Sequence, residues 1–192
     1  MNHLAHIYLS GNDENLMIGN YIADYTRGND FSAIPQNIQA GIQLHRAIDS
    51  YTDNHAVFRM ATKLVRPNLG KFAGVAMDIF FDHYLANNWS NYHRESLNQF
   101  SQNAYQLIEN NWEHIPEKGR RFYTYMVAHD LLVNYQNSET LNMVFKGINS
   151  RTKFETNLNL AVATLQSNHN ELEKLFETFF AELIDFVKPN HA

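Results

Sequence analysis

The chain has 192 residues, 44% of them hydrophobic and 18% charged, which suits one folded domain with a sizeable core and excludes a disordered polypeptide. It contains no cysteine, so disulfides, thiolate metal sites and a cysteine nucleophile are excluded. The net charge of −5 disfavours nucleic-acid binding, which rests on neutralising phosphates, and leaves ten histidines and twenty acidic residues as potential metal ligands.

The opening, Met1-Asn2-His3-Leu4-Ala5-His6, lacks the basic patch and apolar run of a signal peptide. No apolar stretch approaches the roughly 20 residues needed to cross a bilayer. The expectation is therefore a cytoplasmic protein with no membrane association. Period-two alternation is scarce and helical spacing is plentiful, which predicts an all-α fold of nine or so helices in a single domain spanning residues 1–192. A short helix begins near Asn2. A second runs from about Asp13 to Arg27, with Gly28 as its stop. Others cover Pro35 to Asn54, His55 to Arg66, Lys71 to Asn88, Glu95 to Asn111, Lys118 to Gln136, Ser138 to Asn149 and Arg151 to Ser167. The last runs from Asn168 to Val187 and ends before Pro189. Pro35, Pro67 and Pro116 fall where helices should start or stop.

Three of these helices carry polar groups inside apolar stripes. Ile38 and Ile42 lead to His45 and Asp49. Met17 and Tyr21 lead to Asp24. Val75 leads to Asp78, Asp82, Leu85 and Trp89. Residues three or four apart share a helix face, so these groups point inward, where a bare carboxylate is costly. For any one of them the ordinary reading is a buried polar group satisfied by hydrogen bonds. Five or six on three helices exceed what structure alone needs, and a divalent cation is the better account of the set.

His55, His93, His114, His169 and His191 fall in or near loops and helix ends and read as solvated or capping groups. His3 is ambiguous. His129-Asp130 is the one literal His-Asp dipeptide, but His129 shares a stripe with Phe122, Met126 and Val133 and reads as a satisfied core histidine. Phe176, Phe179, Phe180 and Phe186 read as packing residues. Nucleophile elbows, glycine-rich phosphate loops and dinucleotide fingerprints are absent.

Several segments resemble the acyl carrier protein phosphodiesterase family. These are the opening Met-Asn-x-Leu-Ala-His, Gly19-Asn20-x-x-Ala23-Asp24-x-x-Arg27-Gly28, Gly41-Ile42 with His45-Arg46-x-Ile48-Asp49-x-x-Thr52-Asp53, and Asp78-x-x-x-Asp82-His83-x-Leu85 with Trp89. A weaker element spans Gly147 to Arg151. The family is similar in turn to the HD metal-dependent phosphohydrolases, although Ala23-Asp24 stands where their His-Asp pair would be and Asp82-His83 has the reverse order.

The resemblance implies an HD-phosphohydrolase-like fold and a manganese-dependent hydrolysis of the phosphodiester that joins 4′-phosphopantetheine to a serine of holo acyl carrier protein. It maps the metal ligands to His6 and Asp24, with His45 and Asp82 completing the set and Asp49 and Asp78 as further possibilities. Asp24 would also serve catalysis, Arg27 or Arg46 would hold the nonbridging oxygens, and His83 would protonate the leaving serine. Because carrier proteins of this type are acidic, a basic dock is expected. Arg59, Lys63 and Arg66 share one helix face, and Lys118, Arg120 and Arg121 form a second cluster. The alternatives are an HD-type phosphohydrolase acting on a small nucleotide and a helical binding module whose buried polar groups are structural.

Overall fold

The structure, a computed structural model, describes residues 1–26, 28, 31, 34–154 and 156–188. Among them are eleven α-helices and no strand: α1 His3–Tyr8, α2 Glu14–Ile22, α3 Gln36–Asn54, α4 Ala56–Leu69, α5 Ala73–Asn87, α6 Leu97–Asn110, α7 Glu117–Ala128, α8 Leu131–Asn134, α9 Ser138–Arg151, α10 Ala161–Ser167 and α11 His169–Val187. The all-α expectation holds. No helix among the described residues is long and apolar enough to cross a membrane.

The centre of the molecule is α5. Ala76, Met77, Phe80, Phe81, Tyr84, Leu85 and Ala86 are all fully buried, while a strip at Val75 and Asp78 faces a cavity, as expected of a helix that is apolar over most of its circumference. Phe58 of α4 and Phe176 of α11 meet the Phe81 ring edge to face, at 5.6 and 5.4 Å between centroids, a favoured geometry for aromatic pairs. Phe179 and Phe180 are buried with them, whereas Phe186 is partly exposed and stacks on Tyr51 at 4.4 Å.

Helices α2 and α3 cross at two glycines. A Cβ on Gly19 would lie 2.0 Å from the Ile38 carbonyl oxygen, and one on Gly41 would lie 2.2 Å from that of Leu16. Only glycine permits this approach. The crossing sets Asn20 and Asp24, which follow Gly19, against His45, one turn beyond Gly41.

α1 has no local cap: the Asn2 side chain makes no capping bond. Its free N–H groups are met from α5, where Asp82 accepts from Leu4 N at 2.8 Å and Ala5 N at 3.3 Å. A six-residue helix with four unmet donors would otherwise have little to hold it.

Several boundaries depart from the sequence reading. Pro67 lies inside the last turn of α4, which continues to Leu69 and stops at Gly70, φ +54°; so near a helix end the proline removes little hydrogen bonding. The single helix expected over Lys118–Gln136 is broken at Asp130, whose left-handed φ of 42° redirects the chain so that Leu131 and Leu132 enter the core. His129 therefore sits at the end of α7, exposed against the Tyr125 ring, and is not a core histidine. The helix expected from Arg151 begins only at Ala161. Before it, Thr156 bonds its hydroxyl to Asn149 at 2.6 Å, an interaction that competes with helix. Helix α2 ends at Ile22 and tightens into a 3₁₀ turn, Ala23–Tyr25, ahead of Gly28, which has φ 72°.

Candidate metal centre

Four side chains from three segments meet at one end of the α2–α3 crossing. His6 comes from α1, Asp24 from the 3₁₀ turn after α2, and His45 and Asp49 from successive turns of α3. The His6 and His45 rings stack at 4.0 Å between centroids and 18° between planes. Asp49 Oδ1 lies 3.2 Å from His6 Nε2 and Oδ2 lies 3.1 Å from His45 Nε2; Asp24 Oδ1 is 3.4 Å from the same His45 nitrogen. The imidazoles are buried and the carboxylates about half-exposed.

Asn20 fixes the orientation of His45. Its Nδ2 donates to the His6 carbonyl at 2.8 Å and to Ser10 Oγ at 3.0 Å, so its Oδ1, 2.9 Å from His45 Nδ1, is an acceptor. Nδ1 must therefore carry a hydrogen, which turns Nε2 toward the two carboxylates.

The protonation pattern follows from this placement. Burial works against a charged His45, but hydrogen bonds and charge from Asp24 and Asp49 prevail and raise its pKa to about 9. Burial lowers His6 to about 4. Burial opposes the charged form of Asp49 and Asp24 too, yet hydrogen bonding to His45 holds both carboxyls below the usual range, Asp49 far below it.

This group fits a divalent cation. One donor atom each from His6, His45 and Asp49 lies within 4.8 Å of the others. Both ring nitrogens of His6 are buried without a hydrogen bond, the approach of Nε2 to Asp49 being near but poorly aligned. Such an imidazole is costly without a partner. Two imidazoles with carboxylates suit a borderline or hard cation.

The other residues singled out from sequence are placed elsewhere. Asp82 is fully buried in capping α1, and its carboxyl is pushed up to about 7 by burial, which outweighs the Leu4 N–H bond. Asp78 faces the cavity beside the centre but pairs with the Met1 α-amino group at 2.8 Å. His83 is turned away, its Nδ1 donating to the Tyr135 carbonyl at 2.8 Å. Arg46 is exposed, donates to the Gly28 carbonyl at 2.6 Å and covers the Phe31 ring. Arg27 lies outside the described residues. Asn20, in contrast, has a place in the Gly19-Asn20 motif but no role from the sequence reading, although a primary amide among Ile18, Tyr21 and Ile22 is a visible signal.

The centre opens into a cavity of about 1190 Å³. His3 stands at its wall with its ring 4.4 Å from that of Phe122, kept neutral because burial lowers its pKa to about 4. Asp24, Asp49, Asp53 and Asp78 lie on one side, Ile79, Leu131, Val144 and Ile148 add apolar surface, and Lys118 and Arg121 of α7 stand at the rim. Arg120 instead folds back on the Ile115 and Trp112 carbonyls at 2.8 Å. Arg59, Lys63 and Arg66 are exposed on α4 and do not line this cavity; Arg59 bonds the Asp53 carbonyl and Asn54.

Fold and centre thus define an all-helical protein with a two-histidine, two-carboxylate cluster at the foot of a mixed-charge cavity. A sequence profile of the acyl carrier protein phosphodiesterase family matches residues 1–183, and the chain belongs to that family. It is 28% identical to an acyl carrier protein phosphodiesterase of Escherichia coli O6:H1 over 96% of both chains. It is 27% identical to one of Photorhabdus laumondii, over 96% of this chain and 94% of that one. No solved structure matches.

Proposed function

We propose that this chain hydrolyses the phosphodiester between 4′-phosphopantetheine and the serine of holo acyl carrier protein, releasing apo carrier protein, with a divalent cation, manganese in our reading, held by His6, His45 and Asp49. The observation that carries the proposal is the convergence of these three donors, with Asp24 beside them, at the foot of a cavity in a member of this family. When bound, the cation supplies a Lewis acid for the phosphoryl oxygens and acidity to a water.

The remaining work falls to the protein. Asn20 holds His45 in the tautomer that presents Nε2 to the centre. Asp24, half-exposed and held deprotonated, can take the proton of the attacking water at a carboxylate oxygen and return it to the leaving serine oxygen, since His83 is turned away from the centre. The apolar residues beyond give an extended, largely uncharged arm a wall to lie against. At about 1190 Å³ the cavity exceeds the roughly 300–1,000 Å³ of ordinary small-ligand pockets. For the acidic carrier, Lys118 and Arg121 are the better dock, because they stand at the rim through which the arm must enter, whereas Arg59, Lys63 and Arg66 do not.

The test is mass spectrometry of holo carrier protein incubated with this protein and manganese. Conversion to the apo mass is expected, with Asp49→Asn reducing it by about a hundredfold or more. An unchanged holo mass with wild-type protein overturns the proposal.

A further inference from the structure

A phosphodiester entering this cavity meets a wall of its own charge, since Asp24, Asp49, Asp53 and Asp78 all face it. A divalent cation and the Met1 amino group beside Asp78 offset part of that charge. The anion must still be held from another side.

Among the described residues, the side-chain cations facing the cavity are Lys118, Arg121 and Arg151. All three are exposed, and Arg121 pairs its Nε with the Glu117 carboxylate at 3.0 Å, which offsets its charge. Arg151 differs. It closes α9, and its Nε donates to the Gly147 carbonyl at 2.9 Å, which ties one edge of the guanidinium to its own helix. Among the described residues its two terminal nitrogens have no partner. Its positive charge acts on the phenols of Tyr25, next to Asp24 in the chain, and of Tyr125 on α7. Both tyrosines line the same cavity.

We propose that Arg151, which lines the cavity into which the His6–His45–Asp49 cluster opens, binds the nonbridging oxygens of the substrate's phosphoryl group. This rests on the reading that the substrate is a phosphodiester. A guanidinium with one edge anchored presents its other N–H groups as a planar fork, the geometry that matches two phosphate oxygens. The competing role is that of a last-turn cation that complements the helix dipole. That role affects stability alone and is filled as well by lysine.

The deciding experiment is calorimetric titration of inorganic phosphate into the manganese-loaded protein, run for wild type, Arg151→Met and Arg151→Lys, with manganese affinity and Tm measured alongside. The expected result is a loss of phosphate affinity of about 10- to 100-fold in Arg151→Met, with partial recovery in Arg151→Lys and with metal affinity and Tm near wild type. The kcat/KM for bis(4-nitrophenyl) phosphate should fall in parallel. Phosphate affinity in Arg151→Met within twofold of wild type overturns the proposal, as does a lower Tm with unchanged affinity or a wild-type protein that binds no phosphate. If wild type leaves holo carrier protein intact while phosphate binding still depends on Arg151, the anion site stands and the assigned reaction falls.

Discussion

The side-chain oxygen of Asn20 lies 2.9 Å from Nδ1 of His45, and the same amide donates to the His6 carbonyl at 2.8 Å. One residue of α2 thus ties together the segments that carry both imidazoles. Replacing it with leucine leaves His45 Nδ1 and the His6 carbonyl without this partner and frees the ring to turn. Outer-shell partners of this kind are worth about 10- to 100-fold in metal affinity. Asn20→Leu should weaken manganese binding by that range and lower hydrolysis accordingly, while circular dichroism still reports a helical protein. Unchanged manganese affinity would show that His45 is held by other means.

His45 also sets a pH dependence in the metal-free protein. Its pKa rises from 6.5 to about 9 on folding. A raised folded pKa contributes stability that is complete below 6.5 and is lost as pH climbs through 9. In chelator, the Tm advantage of wild type over His45→Gln should shrink between those limits. Since a cation must replace the proton on Nε2, manganese binding at pH 7.5 should release about one proton, measurable by calorimetry in buffers of different ionisation enthalpy.

Asp82 gives the contrasting case. As a metal ligand, it would make Asp82→Asn as damaging as Asp49→Asn. As the cap of α1, it predicts that Asp82→Asn keeps manganese affinity within a few-fold, because an amide oxygen can still accept from Leu4 N. Asp82→Leu leaves two buried N–H groups unmet, at about 1–3 kcal/mol each, and should lower Tm and displace His6. Equilibrium denaturation together with metal titration separates the two accounts.

For the docking surface, reversing Lys118 and Arg121 to glutamate should raise KM for holo carrier protein by about tenfold and reduce its salt dependence, since rim charges act chiefly on encounter. Hydrolysis of a small phosphodiester should change little. The same reversal at Arg59 and Lys63 should leave both substrates unaffected. Steady-state kinetics at two ionic strengths decides between the faces.

Helix content was legible from spacing, because most of these helices bury one stripe against α5 or its neighbours. What the spacing could not show was where a stripe goes. Asp49 and Asp82 look alike in sequence, each one turn beyond another polar group on an apolar helix face. One reaches the histidines and the other reaches backbone N–H groups 78 residues away, a partnership that leaves no local trace. Asp24 was read as part of the α2 face, yet it arrives at the centre from a 3₁₀ turn beyond the helix end. The break at Asp130 was hidden because a left-handed residue followed by leucines keeps the apolar period nearly intact.

The cap on α1 also bears on the order in which the centre is built. α2 and α3 are neighbours in sequence, so their crossing at Gly19 and Gly41 closes a short loop and can bring Asn20, Asp24, His45 and Asp49 together early. Six residues without a local cap cannot hold a helix by themselves. His6 is thus held in the cluster by a cap supplied from residue 82, so its placement depends on α5, whereas Asn20, Asp24, His45 and Asp49 depend on the local crossing alone.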